Sequence, residues 1–187
     1  MPSIIKRYMK YIAILRGINV SGQKKISMTD LIGHMTQIGF TNVTTYIQSG
    51  NIIFDFQKTD LITLATLIKE KILKEYGFDV PVIVLTSTEI KTIIKNNPFE
   101  KKQKANPKSV HLTFLAKKPN TEFLKQFETS KYPNEEFIIN NKAVYLYIPN
   151  GYGRAKLNNN FLENKLKVNA TTRNWNTVLK LNEMLKE

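Results

Sequence analysis

Two β-α-β-β-α-β halves in succession, an α+β duplication of the ferredoxin-like kind with antiparallel sheets, are what this sequence predicts. Three observations predict it. Apolar runs of strand length alternate with segments of helical spacing in that order between Tyr11 and Leu85. The same order nearly recurs between Val110 and Leu185. The chain is 42% hydrophobic and holds no cysteine, so a packed core must stabilise it without disulfides.

The first half opens with Tyr11-Ile12-Ala13-Ile14-Leu15, a continuous apolar run that reads as a buried strand ending at Arg16-Gly17. Ser27 is placed to cap a helix, with Asp30 three residues on, and Met28, Leu31, Ile32, Met35 and Ile38 keep helical spacing up to Gly39. Val43 to Gln48 reads as a strand, Gly50-Asn51 as a tight turn, and Ile52-Ile53-Phe54 as the returning strand. Leu61, Leu64, Ala65, Ile68 and Ile72 mark a second helix closed by Gly77. The run Val80-Pro81-Val82-Ile83-Val84-Leu85 completes the half, its proline suiting a strand start or an edge.

A linking helix follows with Ile90, Ile93 and Ile94, and the lysine-rich Glu100 to Lys108 reads as a loop. Val110 to Leu115 is a strand, and Phe123, Leu124 and Phe127 lie on a helix. Phe137–Ile139 and Val144–Ile148 form a hairpin around Asn140-Asn141. Phe161, Leu162 and Leu166 mark another helix, Ala170–Thr172 a short fourth strand, and Val178, Leu181 and Leu185 a terminal helix. The expected division is residues 1–86 for the first half, 87–108 for the link and 109–187 for the second half with its C-terminal helix.

Composition excludes several chemistries. Without cysteine there is no thiol catalysis and no thiolate metal site, which fits a reducing, cytoplasmic setting. Met1-Pro2-Ser3-Ile4-Ile5-Lys6-Arg7 is too short in its apolar part for a signal peptide, and no window approaches the roughly 18 apolar residues of a membrane span. His34 and His111 have no partner at metal-ligand spacing, so no metal site is expected, and no cofactor motif occurs. Ser49 lacks a nearby histidine, and no carboxylate pair stands out, so catalytic residues are not assignable.

The formal net charge is +13. Residues 1–95 carry 12 basic and 7 acidic side chains, a net of +5, and residues 96–187 carry 16 and 8, a net of +8. Such a charge attracts phosphate polymers, although a lysine-rich proteome accounts for it equally.

Three segments join an apolar run to uncharged hydrogen-bonding groups: Arg16-Gly17-Ile18-Asn19-Val20, Tyr46-Ile47-Gln48-Ser49-Gly50-Asn51, and Thr171-Thr172-Arg173-Asn174-Trp175-Asn176-Thr177, which holds the only tryptophan. Arg16 at a strand mouth suits bidentate binding of a carboxylate or phosphate, with Asn19 and Gln48 as neutral donors. Arg16 and Asn19 equally suit internal organisation of their loop, and Ser49, Gly50 and Asn51 suit a turn. Arg173, Asn174 and Asn176 lie at an expected helix start, which favours anions, and Thr172 or Asn174 suits its N-cap. Gly151-Tyr152-Gly153-Arg154 with Lys156 is a basic glycine loop without the spacing of a P-loop. Tyr145 and Tyr147 share one strand face, where related RNA-binding sheets stack bases, but the accompanying glycine and phenylalanine pattern is missing.

These three segments, in this order, resemble the signatures of a bacterial family known as domain of unknown function 1697. Arg154-Ala155-Lys156-Leu157 matches the basic stretch of that family, while Ser21-Gly22 stands where relatives have two glycines. The resemblance implies a duplicated ferredoxin-like α+β fold and carries no activity with it. Two functional expectations remain open. One is a binding module for a phosphate-bearing ligand, nucleic acid or a small phosphorylated molecule, using Arg16, Asn19, Gln48, Asn51, Arg154, Lys156, Arg173, Asn174 and Asn176. The other is an enzyme acting on a small anionic substrate in a cleft between the halves. A third, plainer expectation is an assembly domain without a ligand. Oligomeric state is not legible.

Overall fold

The computed structural model describes residues 7–128 and 131–186. The leading Met1–Lys6, part of the segment read above as too short for a signal peptide, lies outside them. Two compact units divide the chain: Met1–Ile90 together with Leu181–Glu187, and Lys91–Lys180. The link read from sequence as 87–108 therefore contributes to both, and so does the terminal helix.

In the first unit β1 (Tyr8–Leu15), α1 (Met28–Gln37), β2 (Thr41–Tyr46), β3 (Asn51–Gln57), α2 (Leu61–Tyr76) and β4 (Val82–Thr86) follow one another. Their sheet has the order β2-β3-β1-β4 with every neighbour antiparallel. Then come α3 (Ser87–Lys95) and α4 (Glu100–Ala105). In the second unit β5 (Val110–Leu115), α5 (Thr121–Glu128), β6 (Glu136–Asn140), β7 (Ala143–Tyr147), α6 (Asn159–Leu166) and β8 (Ala170–Asn174) form the sheet β6-β7-β5-β8, again antiparallel throughout. The terminal helix is α7 (Trp175–Met184). The fold is thus α+β, two ferredoxin-like halves of identical strand order, as the element order predicts.

Each half buries a core between one sheet face and its helices. Tyr11, Ala13 and Leu15 alternate along β1 onto Leu31 and Met35 of α1 and Leu64, Ile68 and Ile72 of α2. Phe40 and Phe54 stack within that core with centroids 4.0 Å apart. Ile12 and Ile14, on the opposite face of β1, are also buried, which is why the strand reads as an unbroken apolar run. In the second unit Val144 and Leu146 of β7 meet Leu162 and Leu166 of α6 and Phe127 of α5. The caps are those expected: the Ser27 hydroxyl accepts from Asp30 N, and Gly77 closes α2 at φ +75°.

Three local expectations are corrected. Glu100–Lys108 is not all loop, since Glu100–Ala105 is helical. Its Glu, Lys, Gln and Ala residues are good helix formers, Glu100 and Lys104 pair one turn apart, and the buried Phe99 anchors the start. High charge hid that helix because it has no apolar face. The turn between β2 and β3 spans residues 47–50 rather than Gly50-Asn51, and Asn51 is already the first residue of β3. Strand β4 begins at Val82, because Pro81 lies before it and offers its carbonyl to Arg16 N at 3.0 Å.

The edge strands β2 and β6 differ. The register of β2 slips between Thr41 and Thr44, with Asn42 at φ +50°. All five residues of β6 pair with β7 in unbroken register.

Candidate functional site

The first two signature segments close on one another. After β1, the chain enters a loop whose Gly17, Asn19, Ser21, Gly22 and Lys24 all have positive φ, between +44° and +76°. Such a loop needs an internal frame, and Asn19 supplies it. Its Nδ2 donates to the carbonyls of Ile26 (3.0 Å) and Gln48 (2.9 Å), and its Oδ1 accepts from Ile26 N (2.9 Å). One amide therefore ties both ends of the loop to the β2–β3 turn. Ser21 at φ +49° occupies a conformation that a glycine takes without strain.

Gly50 completes the junction. At φ +81°, a Cβ there would lie 2.6 Å from Ile18 Cδ1 and 2.8 Å from Leu15 Cβ. Gly50 O in turn accepts from Leu15 N at 2.8 Å. Asn51, fully buried, donates from Nδ2 to Tyr46 O (2.8 Å) and Ser49 Oγ (3.2 Å). Polar atoms of Asn19 and Asn51 are thus engaged in holding backbone. The Gln48 side chain is exposed and Arg16 is half-buried at the mouth of β1. Lys24 lies across the loop, its Nζ donating to Asp79 O at 2.6 Å.

The third signature belongs to the second unit. Thr172 Oγ1 donates to Asn159 Oδ1 (3.1 Å) at the start of α6 and so accepts from Thr113 Oγ1 (2.8 Å) on β5. Asn174 Oδ1 accepts from Asn176 N at 2.9 Å, which makes Asn174 the cap of α7. Trp175 is buried, its ring centroid 6.2 Å from that of Tyr145. Arg173 is also buried, and Nη1 donates to Thr172 O at 3.0 Å. Burial lowers its guanidinium to about 10, with the Tyr152 hydroxyl acting the other way, so it stays charged at neutral pH. Asn176 is exposed.

The basic glycine loop starts at the same end of the sheet, since β7 leaves it where His111 pairs with Asn174 across β5 and β8. Tyr152 stacks on His111 with centroids 4.8 Å apart and planes 25° from parallel. Burial pushes the His111 imidazole down to about 4, partly offset by a backbone hydrogen bond at Ser109. The Glu135 carboxylate accepts from Lys156 N and Leu157 N, both at 2.8 Å. Arg154 and Lys156 are exposed, with Lys156 Nζ 5.8 Å from the Tyr132 ring centroid. Glu135 and Asn159 are the residues that sequence reasoning missed, while His111 and Tyr152 stood out there singly and not as a stacked pair. Nothing marks Glu135 as a loop clamp in sequence, because it lies far from the loop that it holds.

Arg16, Asn19, Gln48 and Asn51 are thus gathered in the first unit, and Arg154, Lys156, Arg173, Asn174 and Asn176 in the second. Tyr145 is no base-stacking platform: it is buried and donates its hydroxyl to Ile93 O at 2.9 Å. No group of three acidic or histidine side chains suited to a metal ion occurs among the described residues, and no helix there is long and apolar enough to cross a membrane.

The pattern of the protein family of unknown function DUF1697 matches residues 9–145. The chain belongs to that family. Its first two signature segments fall inside the match, and the Arg154 loop and the Trp175 segment lie beyond it. Among solved structures, the fold is similar to that of the conserved bacterial protein SP0830 from Streptococcus pneumoniae, at 21% identity and a TM-score of 0.73. That similarity covers 96% of this chain and 99% of the other, so it extends the shared fold through the third signature. No curated protein sequence matches the chain.

Proposed function

We propose that this member of DUF1697 is a cytoplasmic binding module for a phosphate polymer, nucleic acid foremost, and that the second unit carries the binding surface. The observation behind this reading is the partition of charge between the two units. Lys91–Lys180 holds 17 basic and 6 acidic residues, a net of +11, while the remainder of the chain holds 11 and 9, a net of +2. A lysine-rich proteome would enrich both units. A cut at residue 95 hides part of the asymmetry, because Lys91 and Lys95 belong with the second unit and residues 181–187, with a net of −1, belong with the first.

Much of the second unit's charge lies at the two ends of its sheet. At one end, backbone bonds from Leu115 N to Lys142 O (2.8 Å) and from Ala116 N to Asn169 O (2.9 Å) draw three loops together. They carry Lys117, Lys118, Lys142 and Lys167. Arg154 and Lys156 belong to the loop that leaves the other end. Exposed lysines bind phosphate as point charges, and the counterions they release make affinity steeply dependent on salt. The internal use of Asn19, Asn51 and Asn174 favours this electrostatic surface over a pocket built from the signature amides.

The test is fluorescence anisotropy with a labelled oligonucleotide across a salt series. Replacing Lys117, Lys118, Lys142 and Lys167 by Gln should weaken binding and shallow its logarithmic salt slope, by about 0.9 for each duplex phosphate that is no longer neutralised. Arg154→Gln with Lys156→Gln should act in the same direction. Absence of binding at low salt, or an unchanged slope in both variants, overturns the proposal.

A further inference from the structure

The loop that leaves β7 carries a covalent chemistry of its own. Asn150-Gly151 is the only Asn-Gly pair in the sequence. An asparagine side chain is open to attack at Cγ by the main-chain nitrogen of the next residue. Glycine hinders that attack least, because it has no Cβ and its backbone is the most permissive. A fold suppresses the reaction by holding the side chain or the nitrogen. Asn106, Asn120, Asn158 and Asn174 are held in this way, each accepting a main-chain N–H two or three residues further on.

Asn150 is exposed, and among the described residues its side chain makes no hydrogen bond. The attacking nitrogen is loosely held too. Gly151 N donates to Ile148 O at 3.5 Å, longer than an ordinary N–H···O bond. Gly151 is exposed at φ +90°, and a Cβ built on it would meet nothing within 4 Å, so its surroundings are open. The loop is anchored behind and ahead of this pair. Ile148 N donates to Ser109 O at 2.7 Å, and the Glu135 carboxylate holds Lys156 N and Leu157 N. Its exposed tip is therefore where main-chain nitrogen and side-chain carbonyl are both accessible.

We infer that Asn150 is a site of spontaneous deamidation, and that the product lowers the affinity of the basic loop for phosphate polymers; the second half rests on the function proposed above. Gly151 N gives its proton to solvent and bonds to Asn150 Cγ, and the Cγ–Nδ2 bond breaks to release ammonia. Water then cleaves one of the two carbonyl–nitrogen bonds of the cyclic imide. Cleavage at Cγ gives aspartate, and cleavage at the main-chain carbonyl gives isoaspartate. The net change converts an amide and water to an acid and ammonia. Either product sets a carboxylate in the same loop as Arg154 and Lys156, where it repels phosphate. Isoaspartate also lengthens the main chain by one methylene just before Tyr152, which stacks on His111.

The experiment ages the whole protein in warm, mildly alkaline buffer made with heavy-oxygen water. Asn150→Gln is aged beside it, because the longer side chain closes the corresponding imide far more slowly. Peptide mapping by mass spectrometry should place conversion at Asn150 ahead of the exposed Asn134 and Asn164, with one heavy oxygen incorporated and both aspartyl isomers present. Anisotropy with the labelled oligonucleotide at low salt should show about a two- to fivefold loss for converted wild type and for fresh Asn150→Asp, and none for aged Asn150→Gln. Conversion elsewhere first, or conversion of Asn150 only in urea, overturns the site. Conversion with unchanged affinity overturns its link to binding. If fresh protein binds no oligonucleotide, the proposed function fails and the link falls with it, while the mapping still decides the site.

Discussion

The side-chain amide of Asn19 donates to the main-chain carbonyl of Gln48 at 2.9 Å, joining two signature segments 29 residues apart in sequence. Because Asn19 Nδ2 serves the Ile26 carbonyl as well, the geometry requires an amide donor at this position. Asn19→Asp should destabilise the protein by about 2–3 kcal/mol, since both carbonyls would then face a carboxylate oxygen. Aspartate tolerates the left-handed backbone at φ +55°, so the destabilisation would report the missing donor and not the turn. Urea unfolding midpoints for Asn19→Asp and the wild type check this.

Gly50 should accept no side chain. Alanine there must displace Leu15 Cβ and Ile18 Cδ1 while holding φ at +81°. The expected cost is about 2–4 kcal/mol from overpacking and left-handed strain together. Adding Ile18→Val removes the Cδ1 atom that would sit 2.6 Å away and should recover part of the stability, whereas the same change alone should lower it. A double-mutant cycle by chemical denaturation reads the coupling.

Ile47 has φ +52° and is 47% exposed at the head of the β2–β3 turn. A β-branched residue is strained in this region, and asparagine is less so. Ile47→Asn should therefore stabilise the fold by about 1 kcal/mol, seen as a rise in Tm of a few degrees. An unchanged Tm accompanied by weaker oligonucleotide binding would instead assign the strain to function.

His111 should make stability depend on pH. Its folded-state value is about 4 against 6.5 for an unperturbed imidazole, so folding favours the neutral ring. That contribution is fully present above about pH 6.5 and is lost as pH falls through 4, because the unfolded chain takes up its proton first. Its upper bound is roughly 3 kcal/mol. In His111→Phe, which retains an aromatic face for Tyr152, the acid-side fall between these values should flatten. Thermal melts across that range are the measurement.

Strand and helix order was legible because periodicity records which face of an element is buried: Tyr11, Ala13 and Leu15 show it, as do Leu64, Ile68 and Ile72. Helix α4 was not, since it keeps only its buried start, Phe99, in apolar surroundings and shows no stripe beyond it. Ile47 at positive φ was invisible for another reason: local propensity argues against it, and the junction built around Gly50 and Asn19 overrides that propensity. Asn19 and Asn51 stood out in sequence as polar groups beside apolar runs. Whether such an amide faces a ligand or a carbonyl depends on long-range contacts such as that with Gln48, which spacing does not encode. Glu135 illustrates the same limit, for its bonds to Lys156 and Leu157 cross 21 and 22 residues.

The unequal charges of the two units carry a kinetic consequence. With +11 in one and +2 in the other, the electrical centre of the molecule is displaced from its centre of mass. In the field of a polyanion such a body feels a torque as well as a pull, and begins to turn before any atom touches. Rotational searching, which ordinarily slows specific docking, is shortened, and added salt removes the advantage over the distance of a Debye length. In such a field the +2 unit adds little to the pull, and the junction of Asn19, Gln48 and Gly50 serves its fold.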